Sequence, residues 1–165
     1  MLTDLHSIVD ALTELIKRGY AIACVGNELR ADDRAGLEVC RALASRGYSV
    51  IECVGGLEMC THTIAESGCR GLIVVDAAII HGADIALCSV DEVEEYLPLS
   101  THSIPLNLVV KYLQQYCGIE GAVVLGIKVE DLGFSETMSE PTRRRVEKVI
   151  ELLLEALERA HRSDS

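Results

Sequence analysis

Tryptophan is absent from this 165-residue chain, phenylalanine occurs once and tyrosine five times. A core without large aromatic rings has to be filled by Leu, Val, Ile and Ala. No apolar run reaches the roughly 20 residues of a membrane span. The greasiest stretch, Gly71 to Val90, is broken by Asp76, His81 and Asp84, so no membrane insertion is expected. Asp4 and His6 stand ahead of the first apolar residues, with no cationic start. That is not the pattern of a signal peptide. Basic charge is also in deficit. Fifteen Lys and Arg against 26 Asp and Glu leave a net charge of −11. Phosphate contacts need a basic footprint, so nucleic acid is a poor partner. The one basic run, Arg143-Arg144-Arg145, reads as a helix face and only weakly as a docking patch.

Metal and cofactor signatures are missing as well. Seven cysteines (Cys24, Cys40, Cys53, Cys60, Cys69, Cys88 and Cys117) include no C-x-x-C pair. An odd number among apolar neighbours argues against a secreted disulfide framework or a zinc site. They are expected as small core residues in a reducing, cytoplasmic compartment. A Cys53 or Cys60 nucleophile with His62 or His102 is conceivable, but core packing is the simpler role. No G-x-G-x-x-G follows the first strand and no G-x-x-x-x-G-K-S/T occurs, so no nucleotide cofactor is expected. Neither a G-x-S-x-G elbow nor an H-E-x-x-H helix is present.

What is there fits one domain spanning 1–165. A chain of this size buries roughly 68–70% of its unfolded surface and needs no staple. Apolar residues after Thr3 recur at helical spacing, predicting a helix over 4–18. Tyr20 to Val25 is a first strand, stopped by Gly26-Asn27. A helix over 34–46 closes at Gly47, and Tyr48 to Val54 is a second strand ending at Gly55-Gly56. A short helix covers 57–67. Gly71 to Ala77 reads as a buried parallel strand, because it shows no polar alternation. Ile85 to Val90 is a shorter edge strand, and Asp91 to Glu95 a helical turn. A helix spans 104–117, a last strand Gly121 to Ile127, and a long helix 139–161. This alternation predicts an α/β three-layer sandwich, a twisted and mostly parallel five-stranded sheet with helices on both faces.

In such sheets ligands bind beyond the carboxyl ends of the strands. Strand one is followed by Gly26-Asn27-Glu28-Leu29-Arg30-Ala31-Asp32-Asp33, strand two by Gly55-Gly56, and strand three ends at Asp76. His102 sits among hydroxyls before the helix at 104. Asp33 reads equally as the N-cap of the helix that follows. Asp76 ends an apolar strand, where an unpaired carboxylate is costly, although a bond to a loop amide would satisfy it. His102 alone fits capping or exposure, and nothing distinguishes His62 or His81. Two carboxylates about 4 Å apart repel by roughly 4 kcal/mol at an effective dielectric near 20. A rim holding Asp33 and Asp76 therefore wants a shared proton or a cation. Arg30 or Arg34 would serve. A divalent metal with His102 as third ligand would serve better.

These rim segments resemble a known family. Cys24-Val25-Gly26-Asn27-Glu28-Leu29-Arg30-Ala31-Asp32-Asp33, Leu72-Ile73-Val74-Val75-Asp76-Ala77 and Thr101-His102-Ser103-Ile104-Pro105-Leu106-Asn107 are similar to motifs of the hydrogenase maturation endopeptidases. Gly55-Gly56 and Leu125-Gly126-Ile127 match too, and the likeness runs over about residues 20–157. It is nearest to the branch that processes hydrogenase-3-like, membrane-associated nickel–iron hydrogenases. The resemblance implies a peptidase core over 20–160 behind an extra N-terminal helix in 1–19. It implies removal of a C-terminal extension from the hydrogenase large-subunit precursor after nickel insertion. Its three metal-binding positions fall on Asp33, Asp76 and His102, with nickel arriving on the substrate as a recognition signal. Asp33 or Asp32 would act as base, and Gly26, Asn27, Gly55 and Gly56 would line the substrate path.

The sequence departs from the family pattern in three places. Arg34 stands where a glycine is usual after the acidic pair, and Lys128-Val129 where Gln-Pro is usual. The helix at 4–18 is additional, as a lid, a partner surface or extra core. Two further readings compete with the endopeptidase. One is a non-catalytic, metal-dependent chaperone for a metallated partner. The other is a small-molecule α/β enzyme using the Gly26-Asn27 and Gly55-Gly56 loops for a nucleotide.

Overall fold

The computed structural model describes residues 1–93, 104–130 and 137–162. Helix α1 (Leu5–Lys17) starts where the Asp4 carboxylate accepts a 2.9 Å hydrogen bond from Ser7 N, a side-chain cap on an otherwise orphaned donor. Strand β1 (Tyr20–Gly26) leads through a 3-10 turn (Ala31–Arg34) into α2 (Ala35–Ser45). Strand β2 (Ile51–Val54), a second 3-10 turn (Leu57–Cys60) and α3 (Thr61–Ser67) follow. Then come β3 (Gly71–Ala78), β4 (Ile85–Ser89), a short turn Val90–Glu92, α4 (Leu106–Cys117), β5 (Ala122–Lys128) and α5 (Glu140–Arg162).

The five strands lie in the order β2-β1-β3-β5-β4. All neighbours pair in parallel except β4, which runs antiparallel to β5 at the edge. Side chains alternate between the two faces. Ile22, Cys24, Ile73, Val75, Leu125 and Ile127 point into a core beneath α1, α2 and α5. Ala23, Val25, Leu72, Val74 and Val124 point into a second core beneath α3 and α4. The central strand β3 is buried along its whole length, as a strand covered on both faces must be. This is the expected three-layer arrangement.

The additional helix is core. Ile8, Val9 and Leu12 are buried, and α1 packs against α5 over the sheet. Each such side chain contributes about 1.5–3 kcal/mol on burial. Two boundaries differ from the sequence expectation. Tyr48 and Val50 pack on the core without joining the ladder, so β2 begins only at Ile51. The helix expected over 34–46 is preceded by its own tight turn, which carries both acidic residues. Among the described residues no helix is long and apolar enough to cross a membrane.

The chain leaves β1 toward β2 on one side, while β3 lies on the other side of β1. The carboxyl ends of β1 and β3 thus flank the topological switch point. There the connecting segments splay apart and leave a crevice.

The cysteine expectation needs correcting. Cys24 is joined to Cys40 and Cys53 to Cys60. Spacings of 16 and 7 residues carry no motif. The pairs form because α2 lies over β1 and the turn after β2 folds back on it. All four remain buried, as core residues should. With four cysteines paired, cysteine usage no longer argues for a reducing compartment. Alkylation in denaturant without reductant is expected to label three cysteines, Cys69, Cys88 and Cys117, and all seven after reduction. Intact-mass measurement counts the labels, and seven without reductant would overturn both pairings.

Candidate functional site

The site starts from glycine. A methyl group on Gly36 would overlap the carbonyl oxygens of Val25 in β1 and Val75 in β3. Without one, the first turn of α2 rests directly on the ends of those two strands. Asp33 lies just before that turn, and Asp76 directly follows Val75. The turn Ala31–Arg34 packs against both β1 and β3. Asp33 and Asp76 therefore both stand at the carboxyl ends of β1 and β3.

Local hydrogen bonds hold the loop. Leu29 N donates to the Asn27 side-chain oxygen at 2.9 Å, an Asx turn. Asn27 N donates to Asp33 O at 3.1 Å, and Asp33 N to Arg30 O at 3.0 Å. Gly55 N donates to Gly26 O at 2.9 Å, stitching the loop after β2 to the one after β1. Of the four residues expected to line a substrate path, Gly55 is exposed and Asn27 half-buried. Gly26 and Gly56 are buried. Gly26 has a structural duty, since a side chain there would strike Asp33 O and Leu37.

Asp33 and Asp76 are 1% and 0% exposed. One oxygen of each, Oδ1, is buried without a hydrogen bond, while both residues make other interactions. Alternation puts Asp76 on the face of Leu72, Val74 and Ala78, the side covered by α3 and α4. Carboxylate oxygens are among the donors that a divalent cation accepts. His102, the expected third ligand, lies outside the described residues. Among those described, no three His, Cys, Asp or Glu side chains form a metal cluster by themselves. The other histidines are elsewhere. His62 faces Glu66 on the exposed side of α3, and His81 is exposed between β3 and β4.

Asp32 turns the other way. Its carboxylate accepts from Glu130 N at 2.8 Å, Ser139 N at 2.7 Å, Ser139 Oγ at 2.8 Å and Thr142 Oγ1 at 2.6 Å. It is fully buried. A carboxylate at the start of α5 is also favoured by the helix dipole. With three donors on Oδ2 and one on Oδ1, Asp32 clamps the loop after β1 to the start of α5. Sequence reasoning missed Gly36, Ser139 and Thr142. A glycine inside a helical pattern and a Ser-x-x-Thr at a helix start were the signals available.

The departures from the family pattern are accommodated locally. Arg34 reaches Glu38 one helical turn on, at 3.3 Å. It lines, with Glu28, Leu29 and Arg41, a cavity of about 350 Å³ beside the rim. Lys128 ends β5, where its carbonyl accepts from Arg145 at 3.1 Å.

A family model described as hydrogenase maturation protease matches residues 41–156. The chain belongs to this family. The matched span contains Asp76 and His102 and excludes Asp32 and Asp33. The Escherichia coli K12 hydrogenase 3 maturation protease is 30% identical over 137 residues, 80% of this chain and 86% of that protein. A putative hydrogenase maturation protease of Methanocaldococcus jannaschii is 25% identical over 147 residues, 81% and 85% of the two chains. The crystal structure of the maturation protease HycI from Thermococcus kodakarensis superposes with a TM-score of 0.73 at 25% identity, covering 90% of this chain and 99% of that one. The solution structure of the Escherichia coli endopeptidase HycI gives 0.66 at 28% identity, covering 81% and 87%.

Two substitutions check this geometry. Asp32→Ala strands several buried donors and is expected to destabilise by about 3 kcal/mol, lowering Tm by roughly 6–12 °C in a thermal melt. A melt within 1 °C or so of the parent would refute the clamp. Gly36→Ala is expected to cost about 1–3 kcal/mol by overpacking, although alanine is the better helix former. A stabilised Gly36→Ala variant would show that α2 does not rest on the strand ends.

Proposed function

We propose that this chain is an endopeptidase that removes the C-terminal extension of a nickel–iron hydrogenase large-subunit precursor after nickel insertion. The observation that supports the reading is the burial of Asp33 and Asp76 at the carboxyl ends of β1 and β3, beside the switch point of a hydrogenase maturation protease fold. The nickel belongs to the substrate. Asp33 and Asp76, with His102 as the expected third ligand, would receive it and so fix the scissile peptide at the rim. Positioning of this kind converts recognition into rate. Asp33 is the base of this reading, because the Asp32 carboxylate is engaged by four donors. It takes a proton from the attacking water, the water oxygen bonds to the scissile carbonyl carbon, and the proton passes to the leaving amine as the C–N bond breaks. Gly55, the exposed member of the stitched loops, offers bare backbone for an extended segment to pass.

The test mixes the protein with a candidate large-subunit precursor, with and without nickel, and weighs the products by mass spectrometry. A C-terminus shortened only in the nickel-loaded sample is expected. Asp33→Asn should slow cleavage by about 100-fold or more with an unchanged circular dichroism spectrum. Normal processing by Asp33→Asn would remove the assignment. Binding by the parent protein without shortening would favour a non-catalytic, metal-dependent module.

A further inference from the structure

The chain has five tyrosines and one phenylalanine, and it places two of the tyrosines in solvent on one helix. Leu108, Tyr112 and Tyr116 are all exposed on α4. Their four-residue spacing sets them on one face, along about 12 Å of helix. The rings of Tyr112 and Tyr116 stack at 5.4 Å between centroids and 10° between planes. Exposed Ile104, two residues before the helix, extends the stripe toward the rim. A quarter of the chain is charged, yet the 12 residues of α4 carry one charge, Lys111. The inner face of the helix is already committed to the core through Leu106, Val109, Val110 and Leu113. The outer stripe is left exposed. Tyrosine-rich, charge-poor patches of this kind are where protein interfaces concentrate their binding energy.

We infer that this stripe is the surface on which the folded body of the hydrogenase large-subunit precursor docks. The inference rests on the endopeptidase reading above and names the contact that reading lacks. Position selects the occupant. The N-terminal end of α4 directly follows the segment bearing His102. The helix also packs against the turn Leu57–Cys60, whose Met59 is itself exposed beside Gly55-Gly56. A partner seated on the stripe thus has its chain within reach of the rim. A second copy of this chain fits less well. Two molecules of charge −11 repel each other, and one helix face falls short of the ~800 Å² per partner of a stable complex. A small, weak contact suits a substrate that must leave after cleavage.

The test immobilises nickel-loaded precursor and measures binding and cleavage by the parent protein, Tyr112→Glu, Tyr116→Glu, Tyr112→Phe and Asp33→Asn. Both Glu variants are expected to bind about tenfold or more weakly, with KM raised and kcat within about twofold of the parent. Tyr112→Phe should bind like the parent, and Asp33→Asn should bind without cleaving. Unchanged binding by both Glu variants overturns the docking surface and leaves the endopeptidase reading intact. Binding that depends on Tyr112 without any cleavage by the parent keeps the surface and rejects the activity. A parent dimer in sedimentation that Tyr112→Glu dissociates would assign the stripe to self-association and overturn the inference.

Discussion

A buried carboxylate is tolerated only where donors surround it, and Asp32 has gathered four of them from one distant stretch of chain. Glu130, Ser139 and Thr142 lie some hundred residues later, yet all three converge on its two oxygens. The bond network ties the loop after β1 to the exit of β5 and to the first turn of α5. Asp33, the next residue, is buried in the same turn, which packs against β1 and β3. Gly36 completes the arrangement by letting α2 settle on the ends of β1 and β3.

Much of this was legible in the chain. Continuous apolar runs at residues 71–77 and 121–127 marked the central strands. Gly-containing turns marked where each strand stopped, and Asp76 stood out because a carboxylate at the end of an apolar strand demands an explanation. The helix over 4–18 was legible as a helix, but its purpose was not, since an amphipathic stripe does not say what it will lie against. Its packing on α5 answers that. The roles of Asp32 and Asp33 were not separable in sequence either. Both are acidic residues in the same turn, and the partners that distinguish them are far away along the chain. The cysteine pairs were hidden for the same reason. Residue 24 meets residue 40 because a helix returns over a strand, and composition carries no record of that crossing.

The family pattern and the physical reading converge from different directions. The pattern gives the family, and the topology explains why a crevice opens at this part of the molecule. A sheet with order β2-β1-β3-β5-β4 has one place where neighbouring connections diverge. The acidic residues are found there. At the departure, Arg34 pairs with Glu38 in the first turns of α2.

At the far side of the sheet, the open edge is partly closed. Leu2 bridges Leu87 through two backbone hydrogen bonds of 2.7 and 2.8 Å, so the outer edge of β4 is partly covered by the chain's own beginning. An open edge strand is a template for any extended peptide nearby. By pairing with Leu87, Leu2 shortens the stretch of β4 backbone left open to such pairing. The opposite edge, β2, is only four residues long and offers little to hold. The fold thus keeps its backbone hydrogen-bonding appetite low at both margins of the sheet.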